Sequence, residues 1–279
     1  MPSLTQEAKA ALGRLGVSPR KKFGQHFMID EKALAFIADA LSPEKGETVL
    51  EIGPGLGFLT RELLSRQAQV IAVEKDDKMA SSTDSRFHGN DKIKIIKKDI
   101  LRVDPEKDLG VAGRIKVVGN IPYNITSPLL EWLIQNRARI SEAVLTVQSE
   151  VAGRLASAPG GKNWGALSIF VQVYAEAEIL KEINRAAFYP APRVDSAVVR
   201  LVFSAAPRFP VRDEAKFFRI VRRAFQKRRK TLVNALEDAA LAGFSKPSLK
   251  AALEKIGIHP SRRPETLGIP DWNRLSEML

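Results

Sequence analysis

The stretch TVLEIGPGLGFLTRELL, Thr48 to Leu64, sets an apolar run, a glycine-rich turn and a helical pattern in immediate succession. Thr48–Ile52 reads as a buried strand and Phe58–Arg66 as a helix, so the turn joins a strand end to a helix start. In that turn Gly53, Gly55 and Gly57 lack a Cβ, which lets backbone pass close to a ligand and take positive φ. A Walker loop is excluded because no Gly-Lys-Ser/Thr follows. The dinucleotide fingerprint needs G-x-G-x-x-G, whereas here the third glycine comes one residue early and Pro54 stiffens the turn, which disfavours a pyrophosphate seat.

Working outward, strand-like runs recur at Gln69–Glu74, Lys92–Ile96, Ile115–Gly119 and Ala143–Gln148. Helical patterns lie at Glu31–Leu41, with Asp30 as cap, and at Pro128–Asn136, with Thr126 or Ser127 as cap and Pro128 in the first turn. Alternating strand and helix predicts a mostly parallel sheet covered on both faces. Two further runs, Leu167–Val173 continuing towards Leu180 and Ala197–Phe203, flank the proline-rich loop FYPAPRVDS and suit an antiparallel edge, for seven strands in all. From about Ala205 the pattern is helix alone, over Asp213–Ala224, Arg229–Ala240, Ser248–Ile256 and Pro270–Leu279. The expected organisation is an N-terminal arm over residues 1–30, an α/β domain over 31–204 and a small all-helical domain over 205–279. Asp76–Asp91, DDKMASSTDSRFHGND, is polar and weakly periodic and reads as a degraded helix or an inserted loop of low order.

Lys and Arg number 44 against 32 Asp and Glu, a net charge of +12 that favours a polyanionic partner. Ten of the basic residues fall between Arg208 and Lys230, against Asp213 and Glu214, and Arg20-Lys21-Lys22 forms a second cluster. Taken alone, such a run is equally a solvated helix face. With no cysteine there is no disulfide, thiolate metal site or thiol nucleophile, and His26, His88 and His259 lack metal-ligand spacing, so no metal is expected. No apolar run approaches the roughly 20 residues of a membrane span, and the N-terminus lacks a signal-peptide core. The expectation is a soluble, unexported, cytoplasmic protein that makes no use of a membrane.

Carboxylates mark the strand ends, at Glu51, Glu74 and Asp99. Glu74 ends the second strand, where it can accept both hydroxyls of a ribose. An E-x-G-x-G-x-G turn with such an acid is the usual signature of S-adenosylmethionine-dependent methyltransferases, with Gly53 and Gly55 against the cofactor. Asp99 is placed to accept from an adenine amino group; its alternative role is to cap the turn at Ile100. Asn120-Ile121-Pro122-Tyr123 follows the fourth strand, at the carboxyl edge where parallel sheets place chemistry. The amine of adenine is a poor nucleophile because its lone pair is drawn into the ring. The Asn120 side-chain oxygen and the Ile121 carbonyl can accept its two hydrogens, Pro122 locks the loop, and Tyr123 offers a face for an extruded base. The alternative is an N-capped turn before the next helix.

These motifs, with KKFGQHFMID, LEIGPGLGFLT, AVEKD, KKDI, VVGNIPYNITSPLL, VQSEVAGRL, FYPAPRVDSAVVRL, AFQKRRKTLVNAL and RRPETL, make the chain resemble the ribosomal RNA adenine-N6,N6-dimethyltransferases of the small subunit from about residue 20 onward. The resemblance implies S-adenosylmethionine as cofactor, a Rossmann-like fold, and two adjacent adenines in the 3′-terminal hairpin loop of 16S rRNA as substrate, within a small subunit or its precursor. It implies that His26, Met28, Lys75, Ile100 and Asn120 join the cofactor contacts, that the segment Gln25–Met28 lies over the cofactor, and that Phe188 closes the adenine opposite Tyr123. His26 and Met28 stand where the family commonly has Asn and Leu. Gln148, Ser149 and Glu150 match a segment opening a helix beside the substrate, which is equally a simple capped helix. Arg222, Arg223, Lys227, Arg228, Arg229 and Lys230 are the expected phosphate contacts, on a chain expected to be monomeric.

Other readings are a large-subunit rRNA adenine methylase, a non-catalytic RNA-binding assembly factor on the same fold, and a nicotinamide oxidoreductase. The complete helical tail with AFQKRRKTL and RRPETL weighs against the first, intact Asn120 and Tyr123 against the second, and the early third glycine against the third. A DNA adenine methylase would more typically carry proline at the position of Ile121.

Overall fold

The computed structural model describes residues 2–20, 24–228, 230–237 and 245–279. It opens on a capping box. Ser3 Oγ accepts from the Gln6 N–H and the Gln6 side chain accepts from the Ser3 N–H, which starts α1 (Leu4–Arg14). Then follow β1 (Phe27–Met28) and α2 (Glu31–Leu41), whose Asp30 cap accepts from the Ala33 N–H at 3.0 Å. Ala33, Leu34, Ile37, Ala38 and Leu41 make the buried stripe of α2; full burial stabilises each of its larger side chains by about 1.5–3 kcal/mol.

The α/β alternation comprises β2 (Thr48–Ile52), α3 (Phe58–Ser65), β3 (Gln69–Glu74), α4 (Asp77–Arg86), β4 (Ile93–Lys97), β5 (Ile115–Asn120), α5 (Thr126–Gln135) and β6 (Ile140–Gln148). After α6 (Ser149–Leu155) and α7 (Ala166–Gln172) come β7 (Ala175–Ile183), β8 (Phe188–Tyr189) and β9 (Ser196–Phe203). One sheet has seven strands in the order β4-β3-β2-β5-β6-β9-β7, and β1 pairs separately with β8. From β4 to β6 every pairing is parallel, while β6 and β9 are antiparallel. The chain moves outward from β2 through β3 to β4, then returns to place β5 on the other flank of β2. Such a reversal leaves a crevice at the carboxyl ends of the two central strands. Ile52 and Gly119 face each other across this pair, so the loops after β2 and β5 emerge side by side.

The remaining helices are α8 (Glu214–Gln226), α9 (Leu232–Glu237), α10 (Lys246–Lys255) and α11 (Ile269–Met278). The chain divides into two compact units, Met1–Ala152 with Glu176–Phe203 and Gly153–Ala175 with Ser204–Leu279. Residues 153–175, expected within the α/β domain, therefore belong with the helices. Their anchor is Trp164, buried with its indole N–H donating to the Leu267 carbonyl at 2.9 Å, helped by the Gly160 N–H on the Glu265 carbonyl at 2.7 Å.

Two local expectations are corrected and one pair of alternatives is decided. Residues 166–172 form α7, not a strand: Ser168 Oγ accepts from the Gly165 N–H and Ser168, Ile169 and Val171 are buried, so β-branched residues serve a helix enclosed on most sides. Of the two readings of Asp76–Asp91 the helix holds: Asp76 caps α4, which buries Met79, Ala80 and Thr83 and keeps a polar outer face. Neither Thr126 nor Ser127 caps α5; Thr126 is its first residue and Ile125 precedes it without a side-chain cap. Part of the expected helix Arg229–Ala240, and Lys21 and Lys22 of the N-terminal basic cluster, lie outside the described residues.

Candidate active site

The crevice at the β2 and β5 ends opens into a cavity of about 240 Å³. One wall is the glycine loop. Gly53 and Gly55 have φ of +66° and +56°, which a residue with a Cβ adopts only at a cost. A Cβ on Gly53 would meet nothing within 4 Å, so its backbone faces open space, whereas one on Gly55 would lie 3.0 Å from the Phe27 ring.

Carboxylates from three strand ends line this wall. Glu51 is 1% exposed and accepts from the Thr60 hydroxyl at 2.6 Å. Burial pushes its carboxyl up to about 7, against the lowering effect of that hydroxyl and with Glu74 adding to the rise. Glu74 is held by the Asp76 N–H at 2.8 Å and the Gly55 N–H at 3.2 Å, one on each oxygen; burial still raises it above the ordinary value. At Asp99 burial works against ionisation, but the Lys75 ammonium at 2.7 Å and the Leu101 N–H at 3.1 Å overcome it and hold the carboxyl below its usual range. Asp99 thus caps the turn at Ile100 and also lines the cavity.

The opposite wall is built from the β5 end. Asn120 donates its side-chain amide to the His26 main-chain carbonyl at 2.7 Å. A carbonyl only accepts, so the amide nitrogen is turned to His26 and Oδ1 to the other side. His26 itself is held by Nδ1 at 2.7 Å from the Pro190 carbonyl, which requires the proton on Nδ1. Its ring stacks on Tyr123 with centroids 5.8 Å apart and planes at 25°. The Tyr123 hydroxyl shares a 2.8 Å hydrogen bond with Ser196, and burial, more than that bond offsets, raises the phenol above its ordinary value. The His26 ring, itself fastened to the Pro190 carbonyl, and the Ser196 hydroxyl of β9 thereby fix the Tyr123 ring that follows β5.

The sequence model of the family described as ribosomal RNA adenine dimethylase matches residues 16–279 of this chain. The chain belongs to the ribosomal RNA adenine dimethylase family. It is 44% identical over 272 residues to the ribosomal RNA small subunit methyltransferase A of Moorella thermoacetica, covering 95% of this chain and 93% of that one. A methyltransferase of the same name from Geobacter metallireducens is 41% identical over 266 residues, covering 95% and 96%. Among solved structures, a dimethyladenosine transferase from Plasmodium falciparum superposes with a TM-score of 0.74 at 27% identity, over 90% of this chain and 96% of that one. The 23S rRNA methyltransferase ErmE superposes with a TM-score of 0.68 at 29% identity, over 91% and 99%. This dimethylase is accordingly an enzyme, a methyltransferase with a Rossmann-like α/β unit and a helical tail.

Of the residues expected at the site of the dimethylase, His26, Met28, Gly53, Gly55, Glu74, Lys75, Asp99, Ile100, Asn120, Ile121, Pro122 and Tyr123 all line the one cavity. Phe188 does not. It is 3% exposed and packs in the core, because β8 pairs with β1 and sets Phe188 opposite Met28. Phe188 thus supports the strand carrying Met28. The cavity also takes Gln25 and Phe27, within the segment expected over the cofactor, and Leu101, which is not among the expected contacts. Gln25 donates to Asp76 at 3.0 Å, tying the N-terminal arm to the residue after Lys75. Ser196, the partner of Tyr123, lies far along the chain in a motif with no local sign of that bond.

In the helical unit, α8 buries Phe217, Phe218, Ile220, Val221 and Ala224. Arg222 and Arg223 are exposed on its other side together with Arg219, which shares their face at helical spacing. Arg228 instead donates to the Lys162 carbonyl, and Lys230 is exposed. Arg229 lies outside the described residues. Lys227 follows directly after α8 and is exposed. Among the described residues no helix is long and apolar enough to cross a membrane.

Proposed function

We propose that this dimethylase uses S-adenosylmethionine to convert N6 of two adjacent adenines in the 3′-terminal hairpin loop of 16S rRNA to the dimethyl form, acting on a small ribosomal subunit or its precursor in the cytoplasm. The observation that carries this reading is the oriented carboxamide of Asn120, facing a cavity whose far wall holds Gly53, Glu74 and Asp99.

The residues fit the cofactor. Open space before Gly53, two glycines at positive φ and carboxylates at successive strand ends suit a nucleoside carrying ribose hydroxyls and an adenine amine. Glu74 would accept the hydroxyls, Asp99 the amine, and residues 25–28 would border the ligand from the arm. When bound, S-adenosylmethionine supplies an electrophilic methyl group on a sulfonium, whose transfer leaves S-adenosylhomocysteine.

The chain's own part is positioning and electrostatics. Oδ1 of Asn120 and the Ile121 carbonyl accept the two amine hydrogens of the target adenine, which frees its lone pair from the ring. Tyr123 stacks on the extruded base. The proton leaves to water after transfer, so no strong base is required. A small-subunit substrate is supported by relatives of that name at 41% and 44% identity, against 29% for the 23S enzyme. The deciding experiment incubates the protein and labelled S-adenosylmethionine with unmethylated small subunits and large subunits together, then maps the product by primer extension. Two adjacent stops in the terminal hairpin are expected; label confined to 23S rRNA would overturn the substrate.

A further inference from the structure

The polar segment after β3 folds as α4 and reaches back to the glycine loop at three consecutive residues. Thr83, fully buried, donates its hydroxyl to the Gly55 carbonyl at 2.8 Å. Arg86 donates to the Leu56 carbonyl at 2.9 Å. Phe87, capping the helix, packs so closely on Gly57 that a Cβ there would sit 2.8 Å from its ring, at a φ of +77°.

Arg86 is in turn held from outside. Its other guanidinium nitrogen pairs with Glu7 of α1, which also pairs with Arg61 of α3 at 3.5 Å, and its guanidinium lies 5.2 Å from the centre of the Phe58 ring. None of Glu7, Thr83 and Arg86 lines the cofactor cavity. They act on it through the peptide planes. In a trans peptide the N–H points opposite to the C=O, so fastening the Gly55 carbonyl to Thr83 turns the Leu56 N–H away from α4. Glu74 holds only the N–H side of Gly55, and glycine leaves the plane on its carbonyl side a wide conformational range, which the Thr83 bond narrows.

We infer that Thr83 and Arg86 are positioning residues for the cofactor, presetting the peptide planes of Gly55 and Leu56, and that Glu7 extends this control to α1. The inference rests on the reading that the cavity binds S-adenosylmethionine. Without these bonds the loop must be ordered at the moment of binding, which raises the dissociation constant and leaves the geometry at Asn120 untouched.

The experiment measures S-adenosylhomocysteine binding by calorimetry, with kcat and KM for S-adenosylmethionine on small subunits. Thr83→Val keeps the shape and loses the hydroxyl. It is expected to weaken binding by about three- to tenfold, the worth of one neutral hydrogen bond, to raise KM in step and to hold kcat within about twofold. Thr83→Ser should restore affinity, which a merely packing role would not. Should Thr83→Val fail to fold, Arg86→Met and Glu7→Gln give the same readout at a half-buried site, and their double mutant should show non-additive effects on affinity. No binding of S-adenosylhomocysteine by the wild type overturns the cofactor reading together with this inference. Wild-type binding with unchanged affinity in the variants, or a fall in kcat at unchanged KM, overturns this inference alone.

Discussion

The side-chain amide of Asn120 and the main-chain carbonyl of His26 meet at 2.7 Å. Because the partner is a backbone carbonyl, the bond sets which way the carboxamide points whatever side chain residue 26 carries. A histidine can therefore stand at residue 26 without disturbing Asn120. The imidazole does other things: it bonds Pro190 and stacks on Tyr123.

Asn120→Ala should lower methyl transfer by about 100- to 1000-fold, the usual cost of losing one preorganised polar group at the reacting atom. Asn120→Asp should be no better, since a carboxylate cannot donate to the His26 carbonyl and would face it with a lone pair. Single-turnover methylation of unmethylated small subunits checks both. Near-normal rates in Asn120→Ala would remove the proposed polarisation of the amine.

Tyr123 separates two contributions. Tyr123→Phe keeps the ring and loses the bond to Ser196, so its rate should fall by no more than about tenfold. Tyr123→Ala removes the stacking face, worth about 1–3 kcal/mol, and should cost roughly five- to 150-fold. Equal losses in the two variants would place the value of the residue in its hydroxyl.

Much of the site is legible because its residues come in contiguous runs at strand ends. β2, β3 and the loop that follows β5 need only an apolar run, a glycine turn and a polar residue after it, all local signals. What escapes is non-local. The inward turn of Phe188 depends on pairing between β8 and β1, two residues each, which no periodicity announces. α7 reads as a strand because a helix enclosed on most sides has no polar stripe to betray its period. α4 shows only three buried side chains against a polar outer face, too few for a clear amphipathic pattern. For α1 a signal was present, Ser3 and Gln6 in capping-box spacing, within a segment expected only as an arm.

Glu51 gives the stability a pH dependence of known sign. Its carboxyl is raised by burial to about 7, from 4.5 in the free group. A group raised in the folded state favours folding in its protonated form. That contribution is full below pH 4.5 and is lost as pH rises through about 7, on the order of 3 kcal/mol for such a shift. Glu51→Gln stays neutral throughout. Urea unfolding of both proteins at pH 5 and pH 8 should show the variant gaining stability relative to wild type at the higher pH. A constant difference across that range would mean Glu51 is ionised in the fold at both.

The last prediction concerns the basic face of α8. Arg219, Arg222 and Arg223 are exposed on one side of a helix whose other side buries Phe217, Ile220 and Val221, so the helix is anchored by apolar contacts and presents guanidinium groups outward. That arrangement suits phosphates, which carry no base identity, on an RNA whose reacting base is handled elsewhere. Replacing all three by Gln should weaken binding of the terminal hairpin within small subunits and flatten its salt dependence by about 0.7–0.9 in slope for each lost phosphate contact. S-Adenosylhomocysteine affinity and thermal stability should hold. Arg228 supplies the contrast, because it donates to the Lys162 carbonyl. Arg228→Gln should lower the melting temperature and change the salt slope less than the triple variant does. Filter binding over a range of salt, run beside thermal unfolding, distinguishes the two sets. Wild-type affinity and an unchanged slope in the triple variant would return this face to ordinary solvated charge.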